Sequence, residues 1–163
     1  MKDNKNLDFI RDNFRFNVRA SALIYNKEKT KVLLFNIEGR DFYMLPGGRI
    51  EQLEESVNTI KREIKEEIGY DNLDFSFLAL SEEFVNAKGY DNHQLNIIYK
   101  AIYTDNIENL DFNGLEGDWI NFKWIDIKEI NKIKIFPNDI KQIILNKNVS
   151  NHFTENLISK GNY

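Results

Sequence analysis

Gly48-Arg49-Ile50-Glu51-Gln52-Leu53-Glu54, followed after seven residues by Arg62-Glu63-Ile64-Lys65-Glu66-Glu67-Ile68-Gly69-Tyr70, is the stretch on which the fold turns. Residues 54–69 carry helical periodicity, and at about 100° per residue Val57, Ile60, Ile64 and Ile68 fall on one stripe. That stripe is predicted to pack on a sheet. Glu63, Glu66 and Glu67 share a separate face, at the i, i+3, i+4 spacing that makes helical side chains neighbours. Like charges so placed destabilise a helix by roughly 0.2–0.5 kcal/mol per pair, so the cluster calls for solvent screening or a cation. Carboxylate oxygens without thiols or paired imidazoles favour Mg²⁺ or Mn²⁺ over zinc. A Glu/Lys-rich helix seen alone is more often a solvated amphipathic one, so the helix by itself does not settle the matter.

Outward from the helix, Phe42-Tyr43-Met44-Leu45 is a short apolar run stopped by Pro46-Gly47-Gly48, where a strand is expected to end in a loop. Upstream, Val18, Ala20, Ala22 and Ile24 alternate with Arg19, Ser21, Leu23 and Tyr25, the period of a strand buried on at least one face. Asn26-Lys27-Glu28-Lys29 turns the chain into Val32-Leu33-Leu34-Phe35, predicting a hairpin. Residues 1–13 read as a polar lead-in with weak helical character. Downstream, strand-like runs lie at about 75–84, 95–103 and 119–124. A last helix is expected from Pro137 to Leu145, since proline suits a first helical turn, and the polar tail after Lys147 is expected to be loosely held. Strands on both sides of one strong helix, with a second helix near the end, imply an α/β fold: a mixed β-sheet covered by helices.

Composition narrows the function classes. A length of 163 residues suits one domain, and 42% hydrophobic with 29% charged residues excludes a disordered chain. A net charge of −4 argues against broad nucleic-acid binding, which needs a basic surface. The absence of cysteine excludes disulfides, thiolate zinc sites and thiol nucleophiles. The start of the chain lacks the apolar core of a secretory signal and no stretch approaches a membrane span, so a cytoplasmic protein without a membrane partner is expected.

The quoted string resembles the box of the Nudix hydrolase family, G-x5-E-x7-R-E-U-x-E-E-x-G-U with U aliphatic. Eight of the nine specified positions agree, with Tyr70 at the last aliphatic place. By average residue usage such agreement arises by chance in a chain this long on the order of once in ten million. Leu45-Pro46-Gly47-Gly48 is similar to the loop leading into the family's box, and Leu53 stands where many members have glycine. The resemblance covers about residues 15–145 of what is expected to be a single domain, 1–163. It implies the Nudix fold, a mixed sheet sandwiched between helices (α/β/α). It also implies hydrolysis of a phosphoanhydride bond in a nucleoside diphosphate linked to another moiety, by water attack on phosphorus with Mg²⁺, for which Mn²⁺ substitutes. By the same resemblance Glu66 and Glu67 are metal ligands, Glu63 is a ligand or water-orienting base, and the Gly47 carbonyl adds a main-chain oxygen. Arg62 is implied as the organiser of the carboxylates, with Glu54 as partner, and its rigid fork suits that role.

Outside the box, Glu116 and Asp118 in Gly114-Leu115-Glu116-Gly117-Asp118-Trp119 are candidates for a further acid or base, although acidic residues in such loops are ordinarily solvated. His93, an imidazole able to donate or accept a proton, is a candidate for phosphate or proton handling, against the plainer reading of a surface-loop histidine. Gly48, Phe42, Tyr43 and Tyr90 are candidate substrate contacts. A catalytically silent nucleotide sensor is the competing reading, opposed by the retained Glu63, Glu66 and Glu67; an isomerase of this fold needs a cysteine. An mRNA-decapping role is disfavoured by the acidic charge, so the expected partner is a small nucleoside diphosphate derivative. A homodimer is expected from the family's habits. The leaving group stays open.

Overall fold

A computed structural model describes residues 5–147 and 150–158 of the chain. In order the elements are β1 Asp8–Arg11, β2 Phe14–Asn26, β3 Lys31–Ile37, β4 Tyr43–Met44, β5 Gly47–Arg49, α1 Ser56–Ile68, β6 Ser76–Ala87 and β7 Tyr90–Tyr103. There follow β8 Asp111–Gly114, β9 Gly117–Asp126, a 3₁₀ helix Ile127–Lys132, β10 Ile135–Phe136, α2 Ile140–Ile144 and β11 His152–Asn156. No described helix is long and apolar enough to cross a membrane.

β2 is the spine. One of its edges pairs with β7 in parallel along its whole length, from Phe14↔Asp91 to Asn26↔Tyr103. Its other edge is shared by three antiparallel partners in succession: β1 along residues 14–17, β5 along 19–21, and β3 at Ile24 and Tyr25. β7 pairs antiparallel with β6, and β6 carries β11 in parallel; β3 pairs with β9, and β9 with β8. The sheet is therefore mixed.

Period-two alternation divides β2 between two cores. Ala20, Ala22 and Ile24 join Leu33, Phe35 and Phe122 and receive Ile60 and Ile64 from α1. Leu23 joins Leu34, Ala79 and Ile98 and receives Ile130 of the 3₁₀ helix and Ile140 and Ile144 of α2. Burying each such side chain is worth about 1.5–3 kcal/mol, so both layers hold to the sheet through apolar contact. The expected α/β/α sandwich is present, and the hairpin of β2 and β3 and the helix read from residues 54–69 stand as expected. Gly69 ends α1 at φ 73°, a left-handed value suited to glycine, and its N–H donates to Lys65 O.

Several expectations about the margins need correction. Residues 8–11 of the presumed helical lead-in are strand β1, because Asp8 to Arg11 find partners from Asn17 back to Phe14. The supposed loop after Pro46 contains β5, which lies so close to β2 that a Cβ on Gly47 would sit 2.2 Å from Ala20 O. β7 begins at Tyr90, so His93 is a strand residue. α2 spans only Ile140–Ile144; Pro137 precedes its cap Asp139, and Pro137 O accepts from Ile140 N–H. The tail beyond Lys147 supplies β11, anchored by the buried Phe153. Residues 1–4, 148–149 and 159–163, which fall in the expected lead-in and tail, lie outside the described residues.

Candidate active site

α1 brings its acidic face to β5, and the three carboxylates that look alike on a helical wheel meet three environments. Glu67 is buried, and its Oε2 accepts from Gly47 N–H at 3.0 Å. Burial pushes this carboxyl up to about 8; Arg19 pulls it down, and Glu63 and Glu116 push it up. Glu63 is also raised, chiefly by burial and against the pull of Arg62. Gly48 makes room for it, since a Cβ there would lie 2.2 Å from the Glu63 carboxylate. Glu66 is half exposed.

Arg62 ties the face together. Its Nε and Nη2 donate to the two carboxylate oxygens of Glu54, each at 2.9 Å, the two-pronged contact a guanidinium favours. Its Nη1 donates to Glu63 Oε1 at 2.7 Å and Glu66 Oε2 at 3.3 Å, and Nη2 reaches Arg49 O at 3.3 Å. Arg62 first, with help from the Thr59 hydroxyl and the Glu51 N–H, holds the Glu54 carboxyl down to about 2. One side chain thus joins the loop before the helix to the metal-type carboxylates on it.

The donor chemistry suits a hard divalent ion. Glu67, Glu63 and Glu66 are all oxygen donors, and the cation acting most on the buried Glu67 is Arg19, which also serves Gly47 O. Among the described residues no three acidic or imidazole groups converge into a complete cage, nor does Mg²⁺ need one, because it is held by one or two carboxylates and completes its shell with water and phosphate oxygens. The Gly47 carbonyl accepts from Arg19 Nη2 at 2.6 Å; the Gly47 N–H, rather than its carbonyl, faces Glu67.

Beside the box the sheet opens into a cleft of about 370 Å³. Its floor is the continuation of the face that carries Leu23 and Ile98. Along β2 that face runs Leu23, Ser21, Arg19, Asn17, Arg15; the register sets Arg19 beside Asn96, Asn17 beside Gln94 and Arg15 beside Asn92. β6 adds Ser81 and Glu83 to these rows. The apolar half lies under α2 and the polar half is left open. Glu83, buried, accepts from Gln94 Nε2 at 2.6 Å and Asn96 Nδ2 at 3.0 Å, and burial raises its pKa. A larger cavity of about 850 Å³ lies elsewhere, walled by Tyr70, Tyr103 and Trp124 and rimmed by Asp105 and Glu108; among the described residues no cation lines it, so it does not suit a phosphate chain. Tyr70, the departure from the box pattern, packs there at 4.7 Å from Tyr103.

Of the residues singled out from sequence, Glu54, Arg62, Glu63, Glu66, Glu67, Gly47 and Gly48 come together at the start of β5 and along α1. Glu116 is exposed, but Leu115 N–H bonds Glu67 O at 2.8 Å and so brings its turn to the end of α1. Asp118 instead meets Asn113 at 3.4 Å. Phe42 lines the cleft with the Arg40 guanidinium over its ring at 5.7 Å. Tyr43 does not: it packs with the α2-side core. Tyr90 sits beside Arg15 rather than in the cleft lining. His93 lies on the opposite sheet face, in one row with Phe16 and Phe84 at 5.5 and 4.4 Å, and its Nε2 is 3.9 Å from Glu82, too far for a hydrogen bond. The cleft residues Arg15, Asn17, Arg19, Arg49 and Glu83 were not singled out; the alternation of Asn92, Gln94 and Asn96 with less polar neighbours was the signal available.

The model of the NUDIX domain matches residues 15–146. Among curated proteins, an mRNA-decapping protein of fowlpox virus is 37% identical over 109 residues, covering 62% of this chain and 46% of its own length. The mRNA-decapping enzyme subunit 2 of Saccharomyces cerevisiae is 28% identical over 131 residues, covering 79% of this chain and 12% of its own. The chain therefore spans less than half the length of these relatives. Among solved structures, a MutT protein from Bacillus halodurans superposes with a TM-score of 0.60 at 17% identity, over 85% of this chain and 88% of the other. The dihydroneopterin triphosphate pyrophosphohydrolase of E. coli gives 0.62 at 19% identity, over 79% and 95%. These two likenesses speak to the fold. With its box carboxylates assembled on α1 and the domain matched over most of its length, this chain belongs to the Nudix hydrolase family.

Proposed function

We propose that the protein hydrolyses a phosphoanhydride bond in a nucleoside diphosphate linked to another moiety, by attack of water on phosphorus, as a single-domain enzyme dependent on Mg²⁺. The observation that carries this reading is Glu67, a carboxylate buried against β5, raised to about 8, with Glu63 and Glu66 beside it on the same helical face. Glu67, Glu66 and the free lone pair of Gly47 O are the groups to hold the ion. When bound, such an ion neutralises charge on the phosphate oxygens and lowers the pKa of the attacking water. Glu63, raised by burial, takes the proton of the attacking water, with Glu116 as the alternative base from the β8–β9 turn. Arg62 and Glu54 touch no substrate; they hold Glu63 and Glu66 in place.

The test is a screen of nucleotide sugars, ADP-ribose, dinucleoside polyphosphates and nucleoside triphosphates with Mg²⁺ or Mn²⁺, reading released phosphate before and after phosphatase. Turnover of at least one that stops in chelator is expected. Binding without turnover across the set supports the silent sensor instead.

A second reading is that the substrate is the capped 5′ end of an RNA. It is favoured by the two curated relatives, both named as mRNA-decapping proteins, and by the arginines of the cleft, which supply locally the positive charge that the net charge of −4 denies the whole surface. Release of a methylated nucleotide from short capped RNA, faster than turnover of any small substrate, decides for it.

A further inference from the structure

The lining of the cleft holds more cationic than anionic side chains. Arg15, Arg19 and Arg49 line it together, and Arg15 and Arg19 both act on Arg49 as like charges. The carboxylate that faces Arg15 and Arg49 most directly is Asp8 of β1, its side chain 4% exposed, accepting from Arg15 Nε at 2.8 Å and Nη2 at 2.5 Å while Arg49 Nη1 lies 3.0 Å from its Oδ2. Arg19 is answered by Glu63, Glu67 and Glu83, and Glu63 also acts on Arg49, so the excess lies in the outer half of the cleft, where Arg15 and Arg49 share the single carboxylate of Asp8. Arg40 and Lys88 add to it at the rim. Arg19 Nε and Asn17 Oδ1 are buried in the same wall without a hydrogen-bond partner among the described residues, and Asn17 is only 4% exposed. A buried donor and a buried acceptor left open, beside mutually repelling guanidiniums, describe a site prepared for a ligand.

β1 is what holds it ready. Residues 5–11 cross the edge of β2 and the start of the box: Leu7 N–H bonds Ile50 O at 2.8 Å, Gln52 N–H bonds Lys5 O at 2.7 Å, and Asp8 pairs with Asn17. This strap precedes the span matched by the NUDIX domain, which begins at residue 15.

We propose that the cleft is a polyphosphate site completed by β1, taking ligands with a chain of three or more linked phosphates, and that Asp8 is a positioning residue that fixes Arg15 and Arg49 without touching the ligand. The proposal rests on the hydrolase reading only for where the broken bond lies. The two phosphates flanking that bond belong at the box carboxylates. Arg19 stands at the seam, bonded to Gly47 O, and the excess charge begins beyond it. A neutral sugar there leaves the excess charge unanswered; a further phosphate meets the guanidinium N–H groups that Asp8 does not engage, on side chains it already holds in place. Orientation by Asp8 removes part of the ordering cost of binding.

Calorimetry on the full chain in chelator, with inorganic tripolyphosphate, pyrophosphate and UDP-glucose as probes, tests this without turnover. Tripolyphosphate is expected to bind at least tenfold more tightly than UDP-glucose, with pyrophosphate between them. Arg49→Met, at a partly exposed side chain whose loss leaves Asp8 paired to Arg15, should weaken tripolyphosphate about tenfold and UDP-glucose little. Asp8→Asn removes a negative charge, so Coulomb attraction alone predicts tighter binding; loss of positioning predicts weaker binding, about fivefold. Should Asp8→Asn fail to fold, hydrogen exchange on the unmodified protein replaces it, with slower exchange of the β1 amides expected on adding tripolyphosphate. ATP and a short 5′-triphosphorylated RNA, added as further probes, separate a free nucleotide from an RNA end; either binding above UDP-glucose supports the site. Equal affinity for tripolyphosphate and UDP-glucose, no effect of Arg49→Met, or tighter binding by Asp8→Asn overturns the proposal. Tripolyphosphate binding in a protein that turns over nothing overturns the hydrolase reading and leaves the site standing.

Discussion

Under the proposed function Glu67 is held between two opposed requirements, since the burial that would strengthen its hold on a cation makes its charge unwelcome without one. Its folded pKa of about 8 lies above the ordinary 4.5, so the unfolded chain ionises first. The stability it contributes is present below about pH 4.5 and is lost as pH rises toward 8. Urea unfolding of the metal-free protein should therefore show stability falling over that window, and Glu67→Gln should flatten the fall, gaining about 1–3 kcal/mol at pH 8. Glu63 and Glu83, raised in the same direction, keep the slope from vanishing. Activity should move the other way, dropping roughly 10²-fold or more in steady-state assays, beyond the 10–100-fold known for groups that only support a ligand. A variant that lost stability yet kept normal Mg²⁺-dependent turnover would remove Glu67 from the chemistry. Leu53 carries a quieter strain: it is fully exposed at φ 62°, a left-handed value that disfavours a branched side chain. Leu53→Gly, which at an ordinary φ costs stability, should here be neutral or stabilising by up to about 1 kcal/mol in the same unfolding assay.

At the scale of elements, α1 and the loop before it act as one piece because Glu54 and Arg62 bind across the junction. Glu54, held down to about 2 from an ordinary 4.5, has the opposite sign to Glu67: its contribution is present above about pH 4.5 and is lost as pH falls through 2. Glu54→Gln should cost about 1.5–3 kcal/mol at pH 7, the worth of a hydrogen bond to a charged group, and almost nothing at pH 2. An equal loss at both pH values would show that packing, not charge, is what Glu54 supplies. α1 was legible from sequence because thirteen residues repeat the 3.6-residue period often enough to announce a buried face. β1, β5 and β11 were not: strands of three to five residues hold too few alternations to read, and each exists because a long strand offers it an edge.

For the whole molecule, the decisive feature is a sheet face covered over one half and open over the other. The same faces of β2 and β7 run from Leu23 and Ile98 beneath α2 to Arg15 and Asn92 in the cleft, and β11 closes the covered half with Phe153. Phe153→Ala should cost about 3 kcal/mol in chemical denaturation, in the lower part of the range for buried aromatics. If its loss is within about 0.5 kcal/mol, as for an ordinary surface site, the tail is not part of the core. We also expect a homodimer, to be checked by light scattering; a mass near 19.3 kDa at micromolar concentration refutes it.

By itself the sequence determined the family and the helix that bears its box, because that pattern is written locally: Glu54, Arg62, Glu63, Glu66 and Glu67 meet through helical spacing and one short loop, whatever the rest of the chain does. The sheet face of Val18, Ala20, Ala22 and Ile24 was local in the same sense. What only the tertiary structure decided is which residues share the cleft. Arg15, Asn96 and Glu83 come from three strands, and Asp8 reaches Arg49 across forty residues of chain, so strand register sets their company and no spacing encodes it. The same register turned His93 to the far face and Tyr43 into the core, since one step along a strand exchanges the two sides of a sheet.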